Sequence, residues 1–116
     1  NVVILGDKLN LAWYQRSCDL MLGVPFNIAS YATLLLLLCK ESGFKPGILH
    51  GTLSDCHIYE NQIDQAKLQM NRIPRELPTM DIGGTGEFNV YNWRHDLIKL
   101  ENYNPYPKID FGPAAV

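Results

Sequence analysis

The sequence predicts an α+β domain in which a mixed sheet carries one long buried helix. Val2–Leu5, Leu9–Ser17 and Gly47–Tyr59 have the alternating or β-rich apolar pattern that is typical of strands. From Ile28 onward almost every residue is apolar, which predicts a helix that is buried nearly all round. The strands precede and follow this helix in the chain, so we expect the helix to pack on the sheet that they form.

Turn and helix-end signals set the expected boundaries of these elements. Gly6-Asp7 is suited to a tight hairpin turn between the first two strands. Asn27 is expected to cap the helix, with Ser30 at the third helical position. The helix is expected to end at about Ser42, because Gly43 follows as a typical C-terminal residue.

The second half of the chain is predicted to form shorter elements and an irregular tail. The pattern indicates a helix over Glu60–Arg72, strands over Leu77–Ile82 and Leu97–Tyr103, and one or two helical turns within Phe88–Asp96. A flexible loop is expected at Gly83–Gly86, and the proline-containing tail is expected to lack regular structure. In the predicted helix Glu60–Arg72, four apolar residues are expected to face the core: Ile63, Ala66, Leu68 and Met70.

Composition and charge argue against several functional classes. The chain has 116 residues, enough for one domain or part of one, and a net charge of −2, which gives no attraction for nucleic acid or an anionic membrane. Its three cysteines lack C-x-x-C spacing, which argues against a disulfide framework or a metal site and for a reduced, cytoplasmic setting. The apolar run Ile28–Cys39 is shorter than the roughly 20 residues of a membrane span, so a soluble core helix is expected.

Two short motifs carry groups that can bind an anion or a sugar. Arg16 presents a fork of donors that fits a phosphate, and Ser17 adds a hydroxyl, although spacing alone favours a surface arginine paired with Asp19. His57 and Tyr59 are two residues apart on a predicted strand, so they lie side by side on one face. Taken alone, the second motif is also compatible with an ordinary amphipathic strand.

These motifs lie in segments that resemble a known enzyme family. The run QRSCDLMLGVPFNIASYA at 15–32 closely resembles the nucleotide-binding segment of thymidylate synthase, and DCHIY at 55–59 resembles the D-x-H-x-Y strand end of the same family. The resemblance covers essentially the whole chain and corresponds to the later half of the family's sequence. It implies that residues 1–116 are the C-terminal portion of a single thymidylate synthase-like domain.

The resemblance assigns roles around a deoxyuridylate (dUMP) nucleotide. It implies that Arg16 and Ser17 hold the 5′-phosphate and that His57 and Tyr59 bind the deoxyribose 3′-hydroxyl. Asn27 would read the base, because one amide offers both the donor and the acceptor that the O4/N3 edge of uracil requires. Cytosine presents the opposite pattern at that edge. An isolated asparagine in this position would more simply be a helix cap.

The resemblance also assigns folate-facing and structural positions. It implies that Asp19 binds the pterin ring and that the tail, at Ala115 and Val116, folds over the cofactor. Cys18 borders the nucleotide as a structural residue or a backbone contact. The family's nucleophilic cysteine lies in a Pro-Cys-His segment, which this sequence does not contain. We therefore expect the nucleophile upstream of Asn1 and expect this chain alone to be inactive.

The implied function is reductive methylation of dUMP to dTMP with 5,10-methylenetetrahydrofolate, by a cytoplasmic homodimer in nucleotide biosynthesis. One alternative is a dUMP hydroxymethylase of the same family, and another is a non-catalytic nucleotide-binding paralogue.

The chain departs from the family pattern at Leu53-Ser54, where two glycines are usual, and at Asn61-Gln62, where Asn-His is usual. The segment Gly83–Glu87 is also longer than in shorter members of the family. These departures bear on the exact reaction more than on the nucleotide.

Overall fold

A computed structural model describes residues 1–83 and 89–112 of the chain. The first half forms a three-stranded sheet in which the second strand is central, antiparallel to the first and parallel to the third. The strands are β1 (Val2–Leu5), β2 (Lys8–Asp19) and β3 (Lys45–His57). A parallel neighbour requires a crossover connection, and the helix α1 (Gly23–Ser42) supplies it. The predicted α+β class with a mixed sheet is confirmed.

The hairpin between β1 and β2 is the tight turn that the sequence predicts. Gly6 has a φ of 63°, in the left-handed region that glycine enters without steric cost, and Leu5 pairs with Lys8 across the turn. The turn is also joined to the start of β3. The backbone N–H of Lys45 donates to the Asp7 carbonyl at 2.9 Å, and the two exposed side chains form an ion pair at 2.8 Å.

The helix α1 begins four residues earlier than the predicted cap at Asn27. The Asp19 carboxylate, through Oδ1, accepts the backbone N–H groups of Met21 at 3.0 Å and Leu22 at 3.1 Å, and this turn leads into the helix. Pro25 lies in the first helical turn, where its missing N–H has no intrahelical partner to lose. The start at Gly23 is therefore set by a side chain at the end of β2.

The predicted capping roles of Asn27 and Ser30 are wrong. Both residues lie inside α1, and the Ser30 hydroxyl donates to the Phe26 carbonyl one turn earlier at 2.9 Å. Asn27 uses its side chain for a contact with β2, described below. The C-terminal prediction is confirmed, because α1 ends at Ser42 and Gly43 adopts a φ of 75°.

The core lies between one side of α1 and the adjoining face of the sheet. Leu35 and Cys39 of the helix are buried with Leu9 and Leu11 of β2. Other apolar residues of α1 face outward, such as Phe26 with 75% of its surface exposed. The prediction that α1 is buried nearly all round is wrong for the described part of the chain, because a single sheet layer can cover only one side of a helix.

The length of α1 also differs from the expectation of a short apolar run. The helix has 20 residues and a mean hydropathy of 1.4, so by length and composition alone it could cross a membrane. The core helix of a soluble protein meets the same test, and α1 packs on β2 and β3 here. A soluble, cytoplasmic setting stays a prediction.

The second half of the chain contains the predicted elements in shortened form. A short 3-10 turn leads into α2, and two further 3-10 turns, Val90–Asn92 and His95–Leu97, lie before the last strand. The longer elements are α2 (Ile63–Met70), β4 (Thr79–Asp81) and β5 (Lys99–Glu101), with β4 and β5 paired antiparallel. The described part of the tail, to Gly112, has no helix or strand, as predicted. Of the loop predicted at Gly83–Gly86, only Gly83 lies within the described residues.

The predicted core face of α2 is mostly wrong. Ala66 is buried, but Ile63, Leu68 and Met70 are exposed, Met70 by 84%. The buried positions are Ala66 and, at the end of the 3-10 turn just before α2, Gln62, which lies four residues earlier and continues the same narrow stripe. A helix of two turns at the edge of the domain buries little more than such a stripe.

Arginine side chains hold the described tail against the segment that follows α2. Arg72 donates to the Pro107 carbonyl at 2.8 Å, and Arg75 donates to the Asn104 side chain at 2.9 Å. The guanidinium of Arg75 lies 3.8 Å from the centre of the Tyr106 ring, within the range of a cation–π contact. These contacts give order to a segment that cannot form a helix or a strand.

Candidate functional site

The parallel pairing of β2 and β3 brings the two sequence motifs together at one edge of the sheet. Ser17 lies opposite Asp55, and Asp19 lies opposite His57. The ladder continues past the end of β2, where the Leu20 N–H donates to the His57 carbonyl at 3.0 Å. Parallel strands end at the same edge, so residues far apart in the sequence become direct neighbours there. This edge is where ligands bind in many α/β sheets.

The Arg16 side chain is exposed at this edge. Among residues 1–83 and 89–112, Arg16 forms no ion pair, so the surface pairing with Asp19 that spacing favours does not occur. Ser17 is also exposed. A guanidinium that is not used within the described chain, with a hydroxyl beside it, can bind an anionic group through charge-assisted hydrogen bonds.

The amide of Asn27 is held by Gln15, which the sequence analysis did not single out. Gln15 Nε2 donates to Asn27 Oδ1 at 2.9 Å and to the Ser17 carbonyl at 3.0 Å. Gln15 Oε1 accepts the indole N–H of Trp13 at 3.4 Å. A carbonyl can only accept and an indole N–H can only donate, so these two partners fix which end of the Gln15 amide is the donor.

A fixed Gln15 in turn fixes Asn27. Because Gln15 presents an N–H, Asn27 must present its oxygen to Gln15 and turn its Nδ2 donors elsewhere. The remaining lone pair of Oδ1 and the Nδ2 donors then offer an acceptor beside a donor. This is the pair of groups that matches the O4/N3 edge of uracil.

The Trp13 end of this network is fixed by packing. The Trp13 ring stacks on Tyr31 of α1, with centroids 4.8 Å apart and an interplanar angle of 17°. Trp13 also pairs with Gly51 on β3, where an added Cβ would overlap the indole ring. Gln15 continues the strand face of the apolar residues Leu11 and Trp13, and a polar residue on that face was the signal available in the sequence. Its partners become visible only with the fold.

His57 and Tyr59 lie side by side, as the sequence predicts. Their ring centroids are 5.3 Å apart with the planes at 80°, an edge-to-face contact. His57 Nδ1 is 3.2 Å from the Asp55 carbonyl oxygen, which can only accept, so Nδ1 carries the hydrogen. In the neutral ring Nε2 is then an acceptor. The Tyr59 hydroxyl can donate and accept, so the two residues can share one hydroxyl of a ligand.

Asp19 and Cys18 lie at the end of β2. The Asp19 carboxylate is half-buried and has one oxygen engaged at the start of α1, which leaves a fixed acceptor suited to the N–H donors of a pterin ring. Cys18 is fully buried, which suits the structural residue that the resemblance implies. Ala115 and Val116 lie outside the described residues.

A cavity between α2 and the tail does not involve these candidates. It measures about 460 Å³ and is bordered by Arg72, Arg75 and Tyr106, among other residues. Those arginines already donate to the tail, so this cavity belongs to the anchoring of the tail. The candidate residues instead lie on an open surface at the ends of β2 and β3, which we call the floor. It comprises Arg16, Ser17, Asp19, Asn27, His57 and Tyr59.

The fold is thus an α+β domain with open polar residues at the carboxyl ends of two parallel strands, an arrangement suited to a ligand at that edge. Residues 1–115 match the family described as Thymidylate synthase. The chain therefore belongs to the thymidylate synthase family, which confirms the resemblance found in the sequence. The family is typically one of methyltransferases that bind dUMP and use methylenetetrahydrofolate, in nucleotide biosynthesis.

Proposed function

We propose that this chain supplies the nucleotide-binding floor of a thymidylate synthase, an enzyme that converts dUMP to dTMP by reductive methylation with 5,10-methylenetetrahydrofolate. One observation carries the proposal. The pairing of β2 with β3 sets Ser17 opposite Asp55 and Asp19 opposite His57, so Arg16 and Ser17 lie a few residues from His57 along the ladder, and Gln15 on the same strand donates to Asn27. Groups suited to a phosphate, a sugar and a uracil base are thus gathered on one floor.

The phosphate contact supplies most of the affinity in this proposal. With a net charge of −2 the protein has no diffuse positive field that could hold an anion. A placed guanidinium must do so instead, and a charge-assisted hydrogen bond is worth about 1.5–3 kcal/mol. Arg16 is exposed and carries no internal ion pair among the described residues, which suits this role.

The sugar contact favours a deoxyribose 3′-hydroxyl. That hydroxyl can donate to Nε2 of His57 and accept from the Tyr59 hydroxyl, so both of its hydrogen-bonding roles are used. The base contact follows from Asn27, whose Nδ2 donates to O4 while Oδ1 accepts from N3–H. In this arrangement the floor fixes the nucleotide at three separate points, which is what orientation of the base for reaction requires.

The covalent step requires a group from outside this chain. A cysteine thiolate, expected in the Pro-Cys-His segment upstream, adds to C6 of the base and makes C5 nucleophilic. Methylenetetrahydrofolate, when bound, supplies both the one-carbon unit and the reducing hydride. Asp19 would hold its pterin ring through the carboxylate oxygen that faces away from α1. Without the upstream nucleophile the chain should bind the nucleotide but not turn it over.

Titration calorimetry on the complete protein tests the binding part of the proposal. We expect dUMP to bind more tightly than dCMP, because of the base edge, and more tightly than deoxyuridine, because of the phosphate. Arg94→Ala is a suitable control, since Arg94 is an exposed arginine paired with Asp96 at 3.0 Å. Equal affinities for dUMP and deoxyuridine would refute the role of Arg16, and equal affinities for dUMP and dCMP would refute that of Asn27.

Product analysis separates the proposal from its alternatives. A thymidylate synthase forms dTMP and dihydrofolate in equal amounts. A dUMP hydroxymethylase ends the same chemistry with water, so it forms hydroxymethylated nucleotide and leaves tetrahydrofolate. Specific dUMP binding with no product from the complete protein would indicate a nucleotide-binding paralogue.

We also propose a homodimer that associates through the sheet, in the cytoplasm. All four residues of β1 are at least half exposed and apolar, and Ile48 of β3 is 69% exposed. An exposed apolar sheet surface of this kind is a typical association surface. Sedimentation of the complete protein should show a dimer that Ile48→Lys weakens. Leu77→Lys, at an exposed residue outside the sheet, should leave the dimer intact; a monomeric parent protein would contradict the proposal.

A further inference from the structure

The cavity between α2 and the tail has a chemical character that the anchoring of the tail does not use up. Its volume of about 460 Å³ lies within the range of pockets that hold small molecules. Two guanidinium groups border it, those of Arg72 and Arg75. Most of the other border residues are aromatic or apolar: Ile73, Pro74, Pro78, Tyr103 and Tyr106. Such a border suits a ligand that joins an apolar body to a negatively charged group.

The two arginines lie close together without a carboxylate partner. Both guanidinium groups contact the Tyr106 ring, at 5.2 Å from its centre for Arg72 and 3.8 Å for Arg75. Within the described part of the chain, neither arginine forms an ion pair. The oxygens that they bind in the tail are neutral carbonyl and amide oxygens. Two like charges held on one ring repel each other, and a bound anion relieves that repulsion.

Arg75 also keeps one edge of its guanidinium group unused. Its hydrogen bonds to the described residues all come from Nη1, which donates to both oxygens of Asn104 and to the Pro105 carbonyl. The Nε and Nη2 hydrogens, which share one edge of the planar group, therefore bond to none of the described residues. Two parallel donors on such an edge form the fork that binds a carboxylate or a phosphate bidentately. Arg72 bonds through Nη1 and Nη2 and likewise keeps its Nε hydrogen.

We propose that this cavity binds a small molecule in which an oxyanion, a phosphate or a carboxylate, is attached to a planar apolar body. The oxyanion accepts hydrogen bonds from the unused edge of Arg75 and from Arg72, and the body lies against the tyrosine and proline side chains. Glu76 also borders the cavity, and its negative charge opposes the anion without cancelling both arginines. Because the same arginines hold the tail, the bound ligand also stabilises the tail.

Calorimetry with phenyl phosphate and with benzoate tests the proposal on the complete protein. Every titration is made with Arg16→Ala protein, so that the phosphate contact of the proposed nucleotide floor is absent. We expect saturable binding of at least one probe, and the tighter of the two identifies the preferred oxyanion. Arg75→Lys keeps the charge but loses the fork, so it should raise the dissociation constant of that probe at least roughly fivefold. Arg94→Ala is the matched control and should leave that constant unchanged.

Two further measurements complete the test. Glu76→Gln removes the opposing carboxylate from an exposed position and should tighten binding of the probe by roughly two- to fivefold. The bound probe should also slow tryptic cleavage of the tail after Lys108, and this protection should be lost in Arg75→Lys. The proposal is overturned if neither probe binds in the Arg16→Ala protein. It is also overturned if Arg75→Lys binds as tightly as its parent, if Glu76→Gln does not tighten binding, or if the tail gains no protection.

Discussion

The orientation of the Asn27 amide gives the sharpest prediction, because it depends on one neighbouring side chain. Gln15 donates to Asn27 Oδ1 at 2.9 Å. In Gln15→Glu an ionised carboxylate can only accept, so Asn27 must turn its amide over and donate Nδ2 to that carboxylate. Oδ1 would then face the position of O4 in uracil, where acceptor meets acceptor. The same orientation suits cytosine, which has a 4-amino donor there.

The expected magnitude follows from the cost of an unmatched polar group. Leaving a desolvated donor or acceptor without a partner costs about 1–3 kcal/mol, which corresponds to roughly a 5- to 150-fold change in a dissociation constant. The substitution should weaken the binding of dUMP and strengthen the binding of dCMP. The ratio of the two dissociation constants should therefore change by at least roughly fivefold. The new negative charge also repels the phosphate, but it does so equally for both nucleotides. The ratio is therefore the quantity to measure.

Calorimetry with dUMP and dCMP on the complete protein provides the assay. Gln15→Met is the matched control: it removes the orienting donor without reversing it, so the preference for dUMP should shrink towards unity and not invert. A carboxyl that keeps its proton would donate as the original amide does, so the Gln15→Glu titration is repeated at a higher pH. An unchanged dUMP to dCMP ratio at both pH values would refute the role of Gln15 in orienting Asn27.

Three further substitutions probe the phosphate contact, the packing beneath the site and the tail. Arg16→Ala should raise the dissociation constant of dUMP roughly ten- to a hundredfold and leave deoxyuridine binding nearly unchanged, whereas Arg94→Ala should alter neither. Gly51→Ala places a methyl group against the Trp13 indole, so the free energy of unfolding from urea titration should fall by about 1–3 kcal/mol; an unchanged urea midpoint would contradict this packing. Arg75→Ala removes the donors that hold the tail, so limited proteolysis of the tail should become faster than in Arg94→Ala, and equal rates would contradict the anchoring.

The parts of the fold that follow from local chemistry were predictable from the sequence. Gly6 and Gly43 adopt the left-handed conformations that their turn and helix end require, and the three main strands lie within two residues of their expected limits. Alternation placed His57 and Tyr59 side by side for the same reason, since it needs only the period of a strand. These features depend on a few neighbouring residues, which the sequence displays directly.

Features that depend on distant partners were not predictable in this way. The start of α1 is set by Asp19, whose side chain reaches forward to the backbone of the helix, and the apparent cap at Asn27 has its partner on β2. Likewise, the orienting role of Gln15 follows only from its three partners, the Ser17 carbonyl, the Trp13 indole and the Asn27 amide. The outward side of α1 shows the same limit. Its apolar residues predict burial, but the pattern does not indicate which segment packs against them.

The last prediction concerns the separation of nucleotide recognition from catalysis under the proposed function. The groups proposed to hold the nucleotide lie on β2, on β3 or just after its end, or in the first turns of α1, and these elements are joined by backbone pairing and the Gln15 network. None of these supports requires the nucleophile itself. Under the proposed function, these groups supply the free energy of nucleotide binding, whereas the thiolate that adds to C6 is a separate group. Recognition of dUMP should consequently survive the loss of the upstream cysteine, while turnover should not.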